Sequence, residues 1–206
     1  LGIINILLDS RKHMDIAKVA GASILLLKVP MEKAKELAKQ VLEFIRLRFR
    51  NLLLEQKIRY DVIDAVLAEE RNNDLYDLYL RASALHAYVN GDKATDMIQA
   101  ATRVNNLSSK AENVVPVNEN LFKEDAEKNL YAVVKKLDTE IIPLTVRYDY
   151  EGALDLLSGL NAPVNKFFDD VRVMDKGGAV RNNRLSLLCQ VRDLVNCVGD
   201  LSRIVM

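Results

Sequence analysis

The stretch Asn165–Ile204, NKFFDDVRVMDKGGAVRNNRLSLLCQVRDLVNCVGDLSRI, decides how this chain is read. It predicts a helix, a glycine turn at Gly177-Gly178, and a second amphipathic helix. Along the second helix, Leu187, Val191, Leu194, Val198, Leu201 and Val205 alternate steps of four and three. That is the spacing of a helix that faces other helices. The opening of this helix carries Arg181 and Arg184, where the macrodipole already places positive potential and Asp or Glu is usual. Two arginines there make a poor cap and a good anion site, so the sequence points to a negatively charged group docking at this turn.

Working outward, the same periodicity runs through nearly the whole chain, and no segment sustains period-2 alternation. Ala153, Leu157, Leu160, Val164, Phe167, Val171 and Met174 form a second four-three stripe over Tyr150–Met174, with a kink expected near Asn161 because of Pro163. Further helices are expected over about 1–10, 15–26, 31–55, 61–70, 74–89, 93–110 and 119–142. Asn90-Gly91-Asp92 and Pro143 act as stop signals, and Ala111–Asn118 reads as a loop around Pro116. The fold class is therefore all-α, a helical bundle.

Composition bounds the function. The 206 residues are half apolar and carry 29 basic and 29 acidic side chains, enough for a real core and without the basic excess of a general nucleic-acid binder. A local basic patch on a neutral body is still allowed. Cys189 and Cys197 share one helix about 12 Å apart along its axis, too far to bridge; reduced thiols in a cytoplasmic protein are the simple reading. No apolar run is long enough to span a bilayer. The chain opens at Leu1 already inside a helical pattern, which suggests a piece of a longer protein.

Catalytic signals are weak. His13 and His86 have no metal-ligand spacing around them. Asp169-Asp170 lies alone on a helix, and Gly177-Gly178 lacks the lysine of a phosphate-binding loop. No catalytic residue and no metal site are expected. The basic residues carry more information. Lys39, Glu43, Arg46, Arg50 and Lys57 share one face of the 31–55 helix and its extension, read as a solvated stripe with Glu43–Arg46 pairing. Arg48 falls beside Phe44 and Asn51, a cation, ring and amide able to stack on and hydrogen-bond a splayed base, or else a core Phe with a snorkelling Arg. Arg103, Asn105, Asn106 and Lys110 close another helix.

The runs LRFRNLLLEQKIRYDVIDAVLA, ATRVNNLSSKA, KFFDDVRVM and RNNRLSLLCQVRDLVNCVGDLS, in that order, resemble the C-terminal part of the bacterial glycyl-tRNA synthetase beta subunit. The resemblance implies a helical anticodon-binding domain of the DALR type, shared with arginyl-tRNA synthetase, over residues 38–206. Residues 1–37, opening LGIINILLD, resemble the tail of a preceding helical body domain and a linker. The resemblance further implies glycine tRNA as partner, and no DNA or membrane. It also implies a tetramer of two alpha and two beta chains, with ATP, Mg and the catalytic centre on the alpha subunit and no cofactor in this part. Arg103, Asn106, Arg181, Asn182 and Arg184 match the motif and join Arg48 as tRNA-facing candidates. A protein-interaction scaffold and the equivalent domain of arginyl-tRNA synthetase are the alternatives.

Overall fold

A computed structural model describes residues 2–28, 30–91 and 94–206, and the described residues are helical with no strand. Among the described residues ten α-helices follow in order: α1 (Gly2–Asp9), α2 (Ile16–Leu25), α3 (Met31–Glu55), α4 (Tyr60–Leu67), α5 (Leu75–Val89), α6 (Ala94–Ser108), α7 (Asp125–Val146), α8 (Tyr150–Leu157), α9 (Asn161–Asp170) and α10 (Gly178–Val195). The expected cap Asp92 and start Lys93 of α6 lie outside the described residues.

Helix α10 is the centre of the bundle. It packs on α6 and α7, while α7 also packs on α8 and α9, and α5 bridges α1, α4 and α8. Leu187, Val191, Leu194, Val198 and Leu201 are all buried, as the spacing requires. The register ends there: α10 stops at Val195, a 3-10 turn takes Leu201–Arg203, and Val205 is 56% exposed. The second stripe is buried from Ala153 to Val171, and Met174 falls outside it. Its kink is real: α8 ends at Leu157, a 3-10 turn spans Ser158–Leu160, and Pro163 sits in the first turn of α9. There its missing N–H costs nothing.

Both boundaries of α7 differ from expectation. Helix α7 begins at Asp125 after a 3-10 turn at Glu119–Leu121, because Glu124 and Glu127 form a reciprocal capping box. It then runs through Pro143 to Val146, the exposed proline sacrificing one backbone bond while Ile141 stays buried. Beyond the cap Arg147, Tyr148 with a φ of 61° turns the chain away without a glycine. The domain boundary expected at 37–38 falls inside α3, one continuous helix started by its strong helix formers. Ile4, Leu7 and Ile16 join the same core as the rest of the bundle.

Buried polar groups fix how the helices meet. Asp77 on α5 pairs with Arg81 at 2.8 Å and accepts from the Tyr150 hydroxyl at the start of α8. The Arg81 guanidinium stacks 4.6 Å from the Tyr150 ring and donates to the Cys197 carbonyl after α10. Burial and Asp77 push the Tyr150 hydroxyl far above its ordinary value, keeping it a donor. At the other end, Asp61 is buried against Arg59 and accepts from the Val205 amide at 2.8 Å, tying down the final residues.

Candidate nucleic-acid interface

The basic turn that opens α10 is built differently from its sequence reading. Gly177 is the N-cap without a side-chain cap, and no acid occupies the first turn. Arg181 is partly exposed and has no ion-pair or side-chain hydrogen-bond partner among the described residues; Asn182 is also partly exposed. Arg184 lies a turn further on and points inward. Its Nε and Nη2 donate to Glu127 at 2.8 and 3.1 Å, its Nη1 donates to the Arg172 carbonyl at 2.9 Å, and Asp175 lies 3.5 Å away. Both Arg184 and Glu127 are essentially inaccessible.

The anion expected at this turn is therefore the protein's own. Burial alone would raise the Glu127 carboxyl, but Arg184 and the amides of Glu124 and Lys123 hold it below its ordinary value. Arg184 is thereby removed from the tRNA-facing candidates. The neighbouring amide is equally occupied: Asn183 accepts from the Asn118 N–H at 2.7 Å and donates to the Asn118 carbonyl at 3.1 Å. Ser186 accepts from the Val115 N–H at 3.0 Å. Half of the Arg-Asn-Asn-Arg-Leu-Ser block thus holds the irregular segment 111–118 and α7 onto α10.

Other candidate cations divide the same way. Arg46 donates to the carbonyls of Leu67, Glu69 and Asn72, and Arg50 pairs with Asp64 at 2.9 Å, so this face latches α3 to α4. The expected Glu43–Arg46 pair does not form; Glu43 meets Lys39 at 3.8 Å. Arg48 is exposed 4.8 Å over the Phe44 ring, and Phe44 is 57% exposed, so the core placement of that Phe is wrong. Of the histidines, His86 accepts from the Arg59 amide, and His13 stacks on Tyr148 with Nδ1 2.9 Å from Asp74.

Helix α6 presents a different surface. Steps of 100° put Gln99, Arg103 and Asn106 on one side, and all three are exposed. The Arg103 guanidinium lies 4.4 Å over the Phe168 ring from α9, with Asn165 3.3 Å from its Nη1. Beside it a recess of about 370 Å³ is lined by Ile98, Gln99, Thr102, Arg103, Ile204 and Met206. A planar cation stacked on an aromatic ring, with free amides along the same helix, suits an unstacked base and its phosphate. Phe168 is not among the residues the sequence singles out for this role; its place one residue off the buried stripe, next to Phe167, is the signal for a ring outside the core. Arg48 belongs to another surface, since α3 packs on α2 and α4 while α6 packs on α9 and α10.

The α6–α10 stretch also carries a family signature. The pattern of the DALR anticodon binding domain matches residues 97–201, half the chain. The chain belongs to the DALR anticodon-binding family. Residues 1–68 match the glycyl-tRNA synthetase beta subunit. Relatives over the full chain are the glycine–tRNA ligase beta subunits of Clostridioides difficile strain 630, 38% identical over 206 residues, and of Syntrophomonas wolfei, 34% identical over 207. Each match takes in 100% of this chain and 30% of the relative. The subunit of Aromatoleum aromaticum is 35% identical, over 99% of this chain and 29% of its own length. The resemblance to glycyl-tRNA synthetase beta subunits thus holds along the chain. It spans about 30% of the length of these curated relatives. No helix among the described residues is long and apolar enough to cross a membrane.

Proposed function

We propose that this DALR domain holds the anticodon loop of glycine tRNA in the cytoplasm while an alpha partner, carrying ATP, Mg and the catalytic centre in a tetramer of two alpha and two beta chains, charges the far end. One observation carries the placement: within the matched stretch, α6 turns Arg103, stacked on Phe168, and the free amides of Gln99 and Asn106 toward solvent. Unpaired loop bases offer their faces to such a stack and their edges to such amides, whereas phosphates fix register without reading sequence. Arg181 and Asn182, partly exposed at the opening of α10, are a secondary phosphate contact; Arg184 plays no part.

The test is a titration of the full-length beta subunit, assembled with its alpha partner, against glycine tRNA and an anticodon-swapped version. Asn106→Ala should narrow the difference between the two tRNAs. An unchanged affinity and discrimination for both Asn106→Ala and Arg103→Ala would overturn the assignment.

A further inference from the structure

The exposed apolar surface of this protein is unevenly spread. Among the described residues, eleven of the twenty large apolar side chains that are exposed fall within residues 3–47, about a fifth of the chain. Helix α3 shows the pattern most clearly. Its inner side buries Ala34, Phe49 and Leu53. Its outer side, by steps of 100°, aligns Val41, Phe44, Leu47, Arg48 and Asn51. Val41 is 38% exposed, and Phe44 and Leu47 are each 57% exposed. A surface helix that is apolar on both sides is normally buried on both. Charge on the outer side over these turns is confined to Arg48, whose guanidinium lies against Phe44, so the face lacks the basic stripe of an RNA site.

We infer that the outer face of α3 is covered by another segment of the same full-length beta chain. Two observations select that occupant. The stretch 1–68 continues the beta-subunit pattern and lies outside the anticodon-binding match at 97–201. More than two thirds of each relative's length lies outside the matched stretch, which supplies the covering chain. An intrachain contact of this kind is apolar like a core, whereas a tRNA contact would concentrate Lys and Arg. Arg48 then shields one edge of the buried Phe44 and reads no base.

Photo-crosslinking tests this directly. Benzoylphenylalanine replaces Phe44 in the full-length beta subunit, with light and heavy isotope forms coexpressed and assembled with alpha, with and without glycine tRNA. The expected product joins position 44 to a beta peptide outside these 206 residues, in light–light and heavy–heavy pairs only. Crosslinks to tRNA, to alpha, or in mixed light–heavy pairs overturn the inference, as does a folded complex with no crosslink. In parallel, Phe44→Lys in the full-length subunit should lower the melting temperature by several degrees, and Arg48→Ala should leave tRNA affinity within twofold. An unmoved melting temperature, or a tenfold loss of tRNA affinity for Arg48→Ala, counts equally against it. None of these readouts depends on the α6 site, so the two proposals fail separately.

Discussion

Arg184 of α10 and Glu127 of α7, 57 residues apart in the chain, form a buried two-pronged ion pair with N–O distances of 2.8 and 3.1 Å. The same Glu127 carboxylate accepts from the Lys123 and Glu124 amides and so closes the start of α7. One pair therefore sets both the start of α7 and its seat on α10. Breaking a buried pair by truncating one member costs about 3–5 kcal/mol, because the other charge is left stranded. Arg184→Ala should lower the urea midpoint accordingly, while Arg181→Ala, half-exposed and unpaired, should change stability by less than about 0.5 kcal/mol. Equal, small effects would show that the pair does not form.

Acid should unfold the protein through its buried carboxylates. Glu127 and Asp61 are both held below their ordinary values: burial opposes ionisation, but Arg184 and Arg59 with nearby amides outweigh it. A depressed carboxylate contributes stability that is complete above its unfolded pKa, about 4.3 for Glu and 3.9 for Asp, and is lost as pH falls through the folded value. Unfolding free energy measured against pH should thus be flat near neutrality and fall below about pH 4. Glu127→Gln should start lower and show a shallower acid limb.

The stack of Arg103 on Phe168 makes a distinction between charge and shape testable. Arg103→Lys keeps the charge but loses the planar stack. If the site holds a base, Arg103→Lys and Phe168→Leu should each weaken tRNA binding by about 1–3 kcal/mol with the salt slope unchanged. If Arg103 meets only a phosphate, lysine should substitute freely, and Arg103→Ala should shrink the slope by roughly 0.7. Filter binding at several salt concentrations separates the two.

Asn183 holds the irregular segment 111–118 through paired bonds to the Asn118 backbone. Asn183→Ala leaves a backbone N–H and carbonyl without their partners, a cost of about 1–3 kcal/mol. Faster amide exchange confined to 114–118, against unchanged exchange in α5, is the expected signature; a uniform change would argue against a local latch.

Gly199 lies where the chain leaving α10 passes α4. A Cβ there would sit 3.2 Å from the Ala65 carbonyl oxygen and 3.3 Å from the Val66 Cα, both backbone atoms. The next residue, Asp200, donates its N–H to that same Ala65 carbonyl at 3.0 Å. Gly199→Ala should cost about 1–3 kcal/mol through overpacking, read as a lower melting temperature. The cause is close approach, since no glycine among the described residues has positive φ.

Much of the fold was legible because periodicity is a local property. The 3.6-residue spacing placed the stripes of α8–α9 and α10 on the core side, and Pro163 marked their kink. Stop signals were less faithful: Pro143 did not end α7, because a proline on the exposed side costs only one bond. Nor could local chemistry tell a free arginine from a paired one. Arg181 and Arg184 look alike in sequence, yet one turn of helix separates a partly exposed cation from one buried on Glu127.

The sequence by itself determined an all-α bundle and its kinship with the DALR anticodon-binding family, since both are written in spacing and motif order. The tertiary structure alone decided which basic residues are available: Arg184, Arg46 and Arg50 are bonded to groups of the protein itself, while Arg103 is stacked in the open on Phe168. The reason is physical. Whether a charge serves stability or recognition depends on which distant group it meets, and that meeting exists only once the chain has folded.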